Sequence, residues 1–122
     1  MIITDKRALS IFKRLECYEV KESIETYPEE ERDGKTDLEI ILNEIDYFIY
    51  MFEEVDGALS GDLEEARKIL RKTSNGKTIP LDPRSLKPIY PEWRIKSAKH
   101  TVKEYKQLKR LALKLKRRFN HD

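Results

Sequence analysis

Residues 36–55 read TDLEIILNEIDYFIYMFEEV, and this stretch decides the fold. Thr36 and Glu39 have the spacing of a capping box, in which each side chain accepts a hydrogen bond from the other residue's backbone N–H. Apolar residues then recur at three- and four-residue spacing, and a second apolar set widens that face. The first set is Leu38, Ile41, Ile45, Phe48, Phe52 and Val55, and the second is Ile40, Tyr47 and Met51. A helix this apolar packs against more than one neighbour, so we expect it at the centre of a helical bundle.

The segment before this central helix predicts another helix. Thr4 is its expected N-cap, and we expect it to run unbroken to about Thr26. The apolar positions change face after Cys17, so a break between residues 16 and 19 is the alternative. Pro28 and the acidic loop 29–34 end the helix.

A short helix and an extended segment follow the central helix. The short helix opens at residues 61–62 and ends at Asn75 and Gly76, which form a C-cap signal. Residues 77–91 then contain four prolines, which exclude a regular helix and favour an extended strap. We expect the strap to pack across the bundle through its apolar side chains: Ile79, Leu81, Leu86, Ile89 and Tyr90.

A long basic helix is predicted from Pro91 to about Phe119. Twenty-nine residues of helix extend about 43 Å. A compact domain of this length has a radius of gyration of about 14 Å, so the helix matches or exceeds the width of the body. We therefore expect the last two turns to project from the body. The predicted fold is all-α, a small bundle of about four helices with a proline-rich strap before the long C-terminal helix.

Composition fits one intracellular helical domain over residues 1–122. The chain has 122 residues, and a domain of that length can bury a core that needs no metal or disulfide. Its charged fraction of 39% fits a helical domain. Cys17 is the only cysteine, which fits a reducing compartment. The longest apolar run, residues 47–52, is too short to cross a membrane, and no secretory leader is visible. We expect a cytoplasmic protein that does not associate with membranes.

Charge is distributed unevenly along the chain. Residues 1–62, the acidic half, hold 7 Lys or Arg against 17 Asp or Glu, a formal −10. Residues 63–122, the basic half, hold 18 against 6, a formal +12. A dense surface of one sign attracts polyanions or an oppositely charged protein.

The basic residues of the last helix form a row. They recur at steps of three and four residues, which places them along one side of a helix. Phosphate groups of nucleic acid would offset the repulsion within such a row. We therefore expect a non-enzymatic protein that contacts nucleic acid or a nucleoprotein, mainly through phosphates. The predicted contact residues are Lys99, Lys103, Lys106, Arg110, Lys114, Arg117 and Arg118.

Three alternatives stay open. The protein's own acidic half can neutralise the row. The chain can instead be an inhibitor or adaptor that imitates nucleic acid and binds a basic protein, or one that binds a partner through a projecting apolar end. The residues for these interactions are Glu29, Glu30, Glu31 and Asp33 of the acidic loop, and Leu115 and Phe119 of the helix end. A homodimer, or a structural subunit of a larger assembly, is the third alternative.

The sequence contains no motif that is typical of a catalytic site. His100 and His121 have no Cys or carboxylate at metal-ligand spacing, and Cys17 has no nucleophile context. The glycines do not form a phosphate loop. We expect no catalytic residues, no metal and no cofactor.

Overall fold

The fold is built from α-helices, as predicted. The structure is a computed structural model that describes residues 1–120, with the side chains of residues 1–119, so His121 lies outside the described residues. Five α-helices and one 3₁₀ helix, Glu29–Glu31, occupy this part of the chain, and its only β pairing is an isolated bridge. The helices are α1 Lys6–Arg14, α2 Tyr18–Glu25, α3 Asp37–Glu53, α4 Ser60–Lys72 and α5 Glu92–Asn120. Between residues 1 and 120, no helix combines the length and apolarity that crossing a membrane requires.

The expected single helix from Thr4 to Thr26 is wrong, and the alternative break is present. α1 begins after Asp5, whose Oδ1 accepts hydrogen bonds from the backbone N–H of Arg7 at 2.7 Å and of Ala8 at 3.2 Å. Leu15 and Cys17, between α1 and α2, have extended backbones and are both buried. The extended backbone at the break therefore carries two buried side chains that are only two residues apart.

α3 begins with the predicted capping box. The backbone N–H of Glu39 donates to Thr36 Oγ1 at 3.2 Å, and the N–H of Thr36 donates to Glu39 Oε1 at 3.3 Å. The helix ends at Glu53, earlier than the apolar pattern predicted, and Val55 is 92% exposed. The chain therefore leaves the core before the last apolar position of the pattern.

Two compact units are present. The first unit contains residues 1–50 with residues 106–120, and the second unit contains residues 51–105. In the first unit, α1, α2, α3 and the C-terminal part of α5 supply the buried side chains. Leu115 is only 1% exposed, so the expectation that it lies on a projecting apolar end is wrong. Apolar residues of α1 and α5 cover each other there, among them Ile11 and Leu115.

The second unit packs α4 against the N-terminal part of α5. Its core cluster consists of Ala66, Ile69, Tyr90, Ile95 and Ala98. α4 ends at Lys72, three residues before the predicted signal at Asn75, and Asn75 and Gly76 then turn the chain with a positive φ. A side chain at Gly76 would meet the side chains of Lys99 and Ile95, so glycine is also favoured sterically.

The expected packing of the strap is correct only for Tyr90, which is buried. The segment turns back on itself at Asp82, whose Oδ1 accepts hydrogen bonds from the N–H groups of Arg84 and Ser85. A bridge pairs Leu81 with Pro88, so the backbone groups bond within the segment. The other apolar side chains stay exposed: Ile79, Leu81, Leu86 and Ile89.

Candidate phosphate-binding surface

Five of the predicted contact residues lie in the first unit, on the C-terminal part of α5. Four of them are exposed: Lys106, Arg110, Lys114 and Arg117. Arg118 is half-buried beside them. Because the three- and four-residue steps fall within one unbroken helix, these side chains follow one side of it, with Leu111, Ala112 and Leu115 buried behind them.

None of these five cations forms an ion pair within residues 1–120. Lys116, on another side of the helix, pairs with the acidic half, at 3.1 Å from Asp46. Two carboxylates of the acidic half, which could have neutralised the row, bind other groups. Glu44 accepts a hydrogen bond from Ser23 Oγ at 2.5 Å, and Asp37 binds Arg32.

Lys99 and Lys103, the other two predicted contact residues, belong to the second unit. Both are exposed on α5. The Lys99 side chain lies beside Gly76 at the end of α4. The candidate surface therefore consists of residues of the first unit alone.

A cleft of about 250 Å³ opens between α1 and α5 in the first unit, and we call it the α1/α5 cleft. Its floor contains the buried side chains of Ile11 and Leu115, and Ser10 lies on its wall. Five cationic side chains and no carboxylate complete the lining. The cations are Lys6, Arg7 and Arg14 of α1, and Lys114 and Arg118 of α5.

Gln107 holds the two walls of this cleft together. Its Nε2 donates to the carbonyl oxygen of Arg14 at 2.7 Å, and its Oε1 accepts the backbone N–H of Glu16 at 2.8 Å. Both hydrogen-bonding groups of one amide are thus used to fix the end of α1 on α5. The burial of Ile11 and Leu115 holds the same pair of helices two turns further along α5.

The cleft concentrates positive charge. None of its five cations forms an ion pair with a described residue, and Arg14 donates only to the Ser10 carbonyl oxygen, at 3.3 Å. Two unit charges about 8 Å apart repel by about 0.5 kcal/mol in water, and salt weakens that repulsion. An anion in the cleft would replace this repulsion with attraction. Arg117 and Arg118 also suit the negative end of the α5 dipole, which accounts for part of the local charge.

The acidic loop is partly occupied by structural contacts. Glu29 accepts the backbone N–H of Ile2 at 2.7 Å and lies 3.5 Å from Arg32. The Ile2 N–H, with Arg32, holds the pKa of Glu29 below its usual value. Glu30, Glu31 and Asp33 are exposed, and Phe119 is half-buried at the end of α5. The loop therefore presents fewer free carboxylates than its sequence suggested.

Sequence reasoning missed the α1 wall of the cleft. Lys6, Arg7 and Arg14 belong to the half of the chain whose formal charge is −10, and that average concealed them. A shorter charge window finds them, because residues 1–14 contain four Lys or Arg and one Asp. Their position opposite α5 has no local sequence signal.

Comparisons of the chain with protein-family models, with curated proteins and with solved structures find no match.

Proposed function

We propose that this protein binds nucleic acid, alone or within a nucleoprotein, by contacting backbone phosphates through the C-terminal part of α5. The observation that carries the proposal is the set of exposed, unpaired cations along one side of that helix segment. Lysine and arginine that neutralise phosphates release condensed counterions, which supplies sequence-independent affinity. The proposal assigns no catalysis to the chain.

The types of side chain favour phosphate contacts over base recognition. Bases are read by hydrogen-bonding side chains in a groove, or by aromatic rings on which unpaired bases stack. The exposed row consists of lysine and arginine, and the cleft beside it has no aromatic lining residue. Phosphate contacts position a protein without specifying sequence, so the proposal includes weak sequence preference.

A binding panel tests the proposal. The purified protein is titrated against labelled single- and double-stranded DNA and RNA of mixed sequence, at several salt concentrations. Micromolar or tighter binding that weakens steeply with salt, and varies little with sequence, is expected. Absence of binding at low salt to every member of the panel would overturn the proposal.

Protein binding is a second candidate function, favoured by the exposed apolar side chains of the strap. Leu86 is 72% exposed, and Ile79 and Leu81 are each about half exposed. Grouped apolar side chains on a surface commonly mark an interaction site. Replacing Leu81 and Leu86 with serine would abolish capture of a protein partner under this function, and unchanged capture would contradict it.

A further inference from the structure

The α1/α5 cleft differs from the exposed row in the way its charges converge. The row offers cations one after another along a single helix, which suits a chain of singly charged phosphodiesters. The cleft instead is one concave space that five cationic residues of two helices line. A phosphodiester brings one negative charge to that space, whereas a phosphate monoester carries about −1.5 to −2 at neutral pH.

The size of the cleft also favours a small, compact anion. Sites for drug-sized ligands usually enclose about 300–1,000 Å³. A cleft of about 250 Å³ is smaller, and it suits a phosphate group with part of one nucleotide. A base-paired duplex cannot enter it, so a ligand must present a protruding group.

The donors around the cleft match the oxygens of such a group. Arg7, Arg14 and Arg118 carry planar guanidinium groups, which bind phosphate oxygens through two parallel N–H donors. Ser10 adds a hydroxyl on the same wall, and Gln107 fixes that wall to α5. The helix-to-helix arrangement is therefore held in place before a ligand arrives.

We infer that the α1/α5 cleft is a binding site for a phosphate monoester. We assign that monoester to the terminal phosphate of a nucleic-acid strand, and this assignment rests on the proposed function. A free phosphorylated small molecule has the same chemistry and is the other source of the ligand. The cleft thus gives preference to strand ends over the interior of a strand.

Two short oligonucleotides of identical sequence distinguish these sources, one with a 5′-phosphate and one with a 5′-hydroxyl, each labelled at its 3′ end. We expect the phosphorylated strand to bind about tenfold tighter, which is the gain from roughly one charge-assisted hydrogen bond. Arg14→Gln should remove this preference, because Arg14 lines the cleft. Lys13→Gln is the matched control, since Lys13 is exposed on the same helix and does not line the cleft.

In the second arm, adenosine monophosphate and inorganic phosphate are added separately to the protein. Shifts of the backbone amide resonances of α1 report their binding. Equal binding of both strands, with no shift of α1 resonances by either small anion, would overturn the cleft assignment and leave the proposed function standing. Shifts centred on residues 6–14 without binding of any oligonucleotide would support the cleft, assign it to a free phosphorylated molecule and overturn the proposed function. Absence of binding to every oligonucleotide and to both small anions would overturn both the cleft assignment and the proposed function. A preference for the phosphorylated strand that persists in Arg14→Gln would place terminal-phosphate recognition elsewhere and overturn the assignment.

Discussion

The side-chain amide of Gln107 donates a hydrogen bond to the carbonyl oxygen of Arg14 at 2.7 Å, across 93 residues of sequence. The same amide accepts the N–H of Glu16, so the end of α1 is fixed to α5 by one side chain. This contact brings a short basic helix from the acidic half of the chain beside the basic C-terminal helix. Cations of both α1 and α5 therefore line the α1/α5 cleft, although the basic row that the sequence reveals belongs to α5 alone.

Replacing Gln107 with alanine should weaken this attachment. The substitution removes two hydrogen bonds, each with a net value of about 0.5–1.5 kcal/mol, and water can solvate the exposed backbone groups left behind. We expect the free energy of unfolding to fall by about 1–2 kcal/mol in urea titrations. Lys106→Ala is the control, because this exposed neighbour should change stability by less than about 0.5 kcal/mol. Equal stability of the two variants would contradict a stabilising role for the two Gln107 hydrogen bonds.

Asp37 predicts a loss of stability at low pH. Burial alone would raise its pKa, but the N–H groups of Asp5 and Thr4, together with Arg32, hold the pKa below its usual value. A carboxylate whose pKa is lower in the folded state contributes stability above the unfolded pKa, about 3.9. That contribution disappears as the pH falls through the lower folded pKa. Unfolding measured below pH about 4 should therefore show a steeper decline for the wild type than for Asp37→Asn.

The same Asp37→Asn variant should be less stable at neutral pH. The substitution would place an N–H₂ group among donors and leave Arg32 without its buried anionic partner, at a cost of about 1–3 kcal/mol. Glu30→Gln is a suitable control, because Glu30 is exposed on the same acidic loop. Two results would exclude a stabilising role for the Asp37 carboxylate. One is an Asp37→Asn variant as stable as this control at pH 7, and the other is a free energy of unfolding in that variant with the same pH dependence as in the wild type.

Leu86 predicts a stabilising substitution. Its φ of 59° is left-handed, and its side chain is 72% exposed, so little packing compensates for the strain. That conformation costs a non-glycine residue roughly 1–2 kcal/mol, part of which the chain entropy of glycine offsets. We expect Leu86→Gly to raise the free energy of unfolding by about 0.5–1 kcal/mol in thermal or urea titrations.

Leu81→Gly is the matched control for this substitution, because Leu81 pairs with Pro88 in the same hairpin and has no positive φ. We expect it to lower the free energy of unfolding by about 0.5–1 kcal/mol. A decrease of the same size in both variants would show that the Leu86 backbone is not strained.

The parts of the fold predicted from sequence are those with local signals. The capping box of Thr36 and Glu39 involves residues three apart, and the turn at Asn75 and Gly76, just after α4 ends at Lys72, follows from backbone preference alone. The long basic helix follows from apolar spacing after Pro91. These features need no knowledge of distant contacts.

The parts that sequence reasoning missed depend on tertiary contacts. The break between α1 and α2 places Leu15 and Cys17 in the core on extended backbone, and the apolar periodicity allowed this break without deciding it. The strap folded back on its own backbone, so of its apolar residues only Tyr90 reached the core. The α1 wall of the cleft required the contact between Gln107 and Arg14, and no local pattern encodes a contact across that distance.

The most direct test of the proposed function is the salt dependence of nucleic-acid affinity in a charge-neutralised variant. Lys106, Arg110 and Arg117 are replaced together by glutamine, since all three are exposed on α5 and none lines the cleft. The control replaces Lys35, Lys77 and Lys87, which are also exposed and carry the same total charge.

Each lost phosphate contact lowers the slope of log affinity against log salt by about 0.7 for single strands and about 0.9 for duplex DNA. We expect the α5 variant to bind more weakly with a slope smaller by about 2–3, and the control to keep the slope of the wild type. An unchanged slope in the α5 variant would contradict the proposal that these side chains contact phosphates.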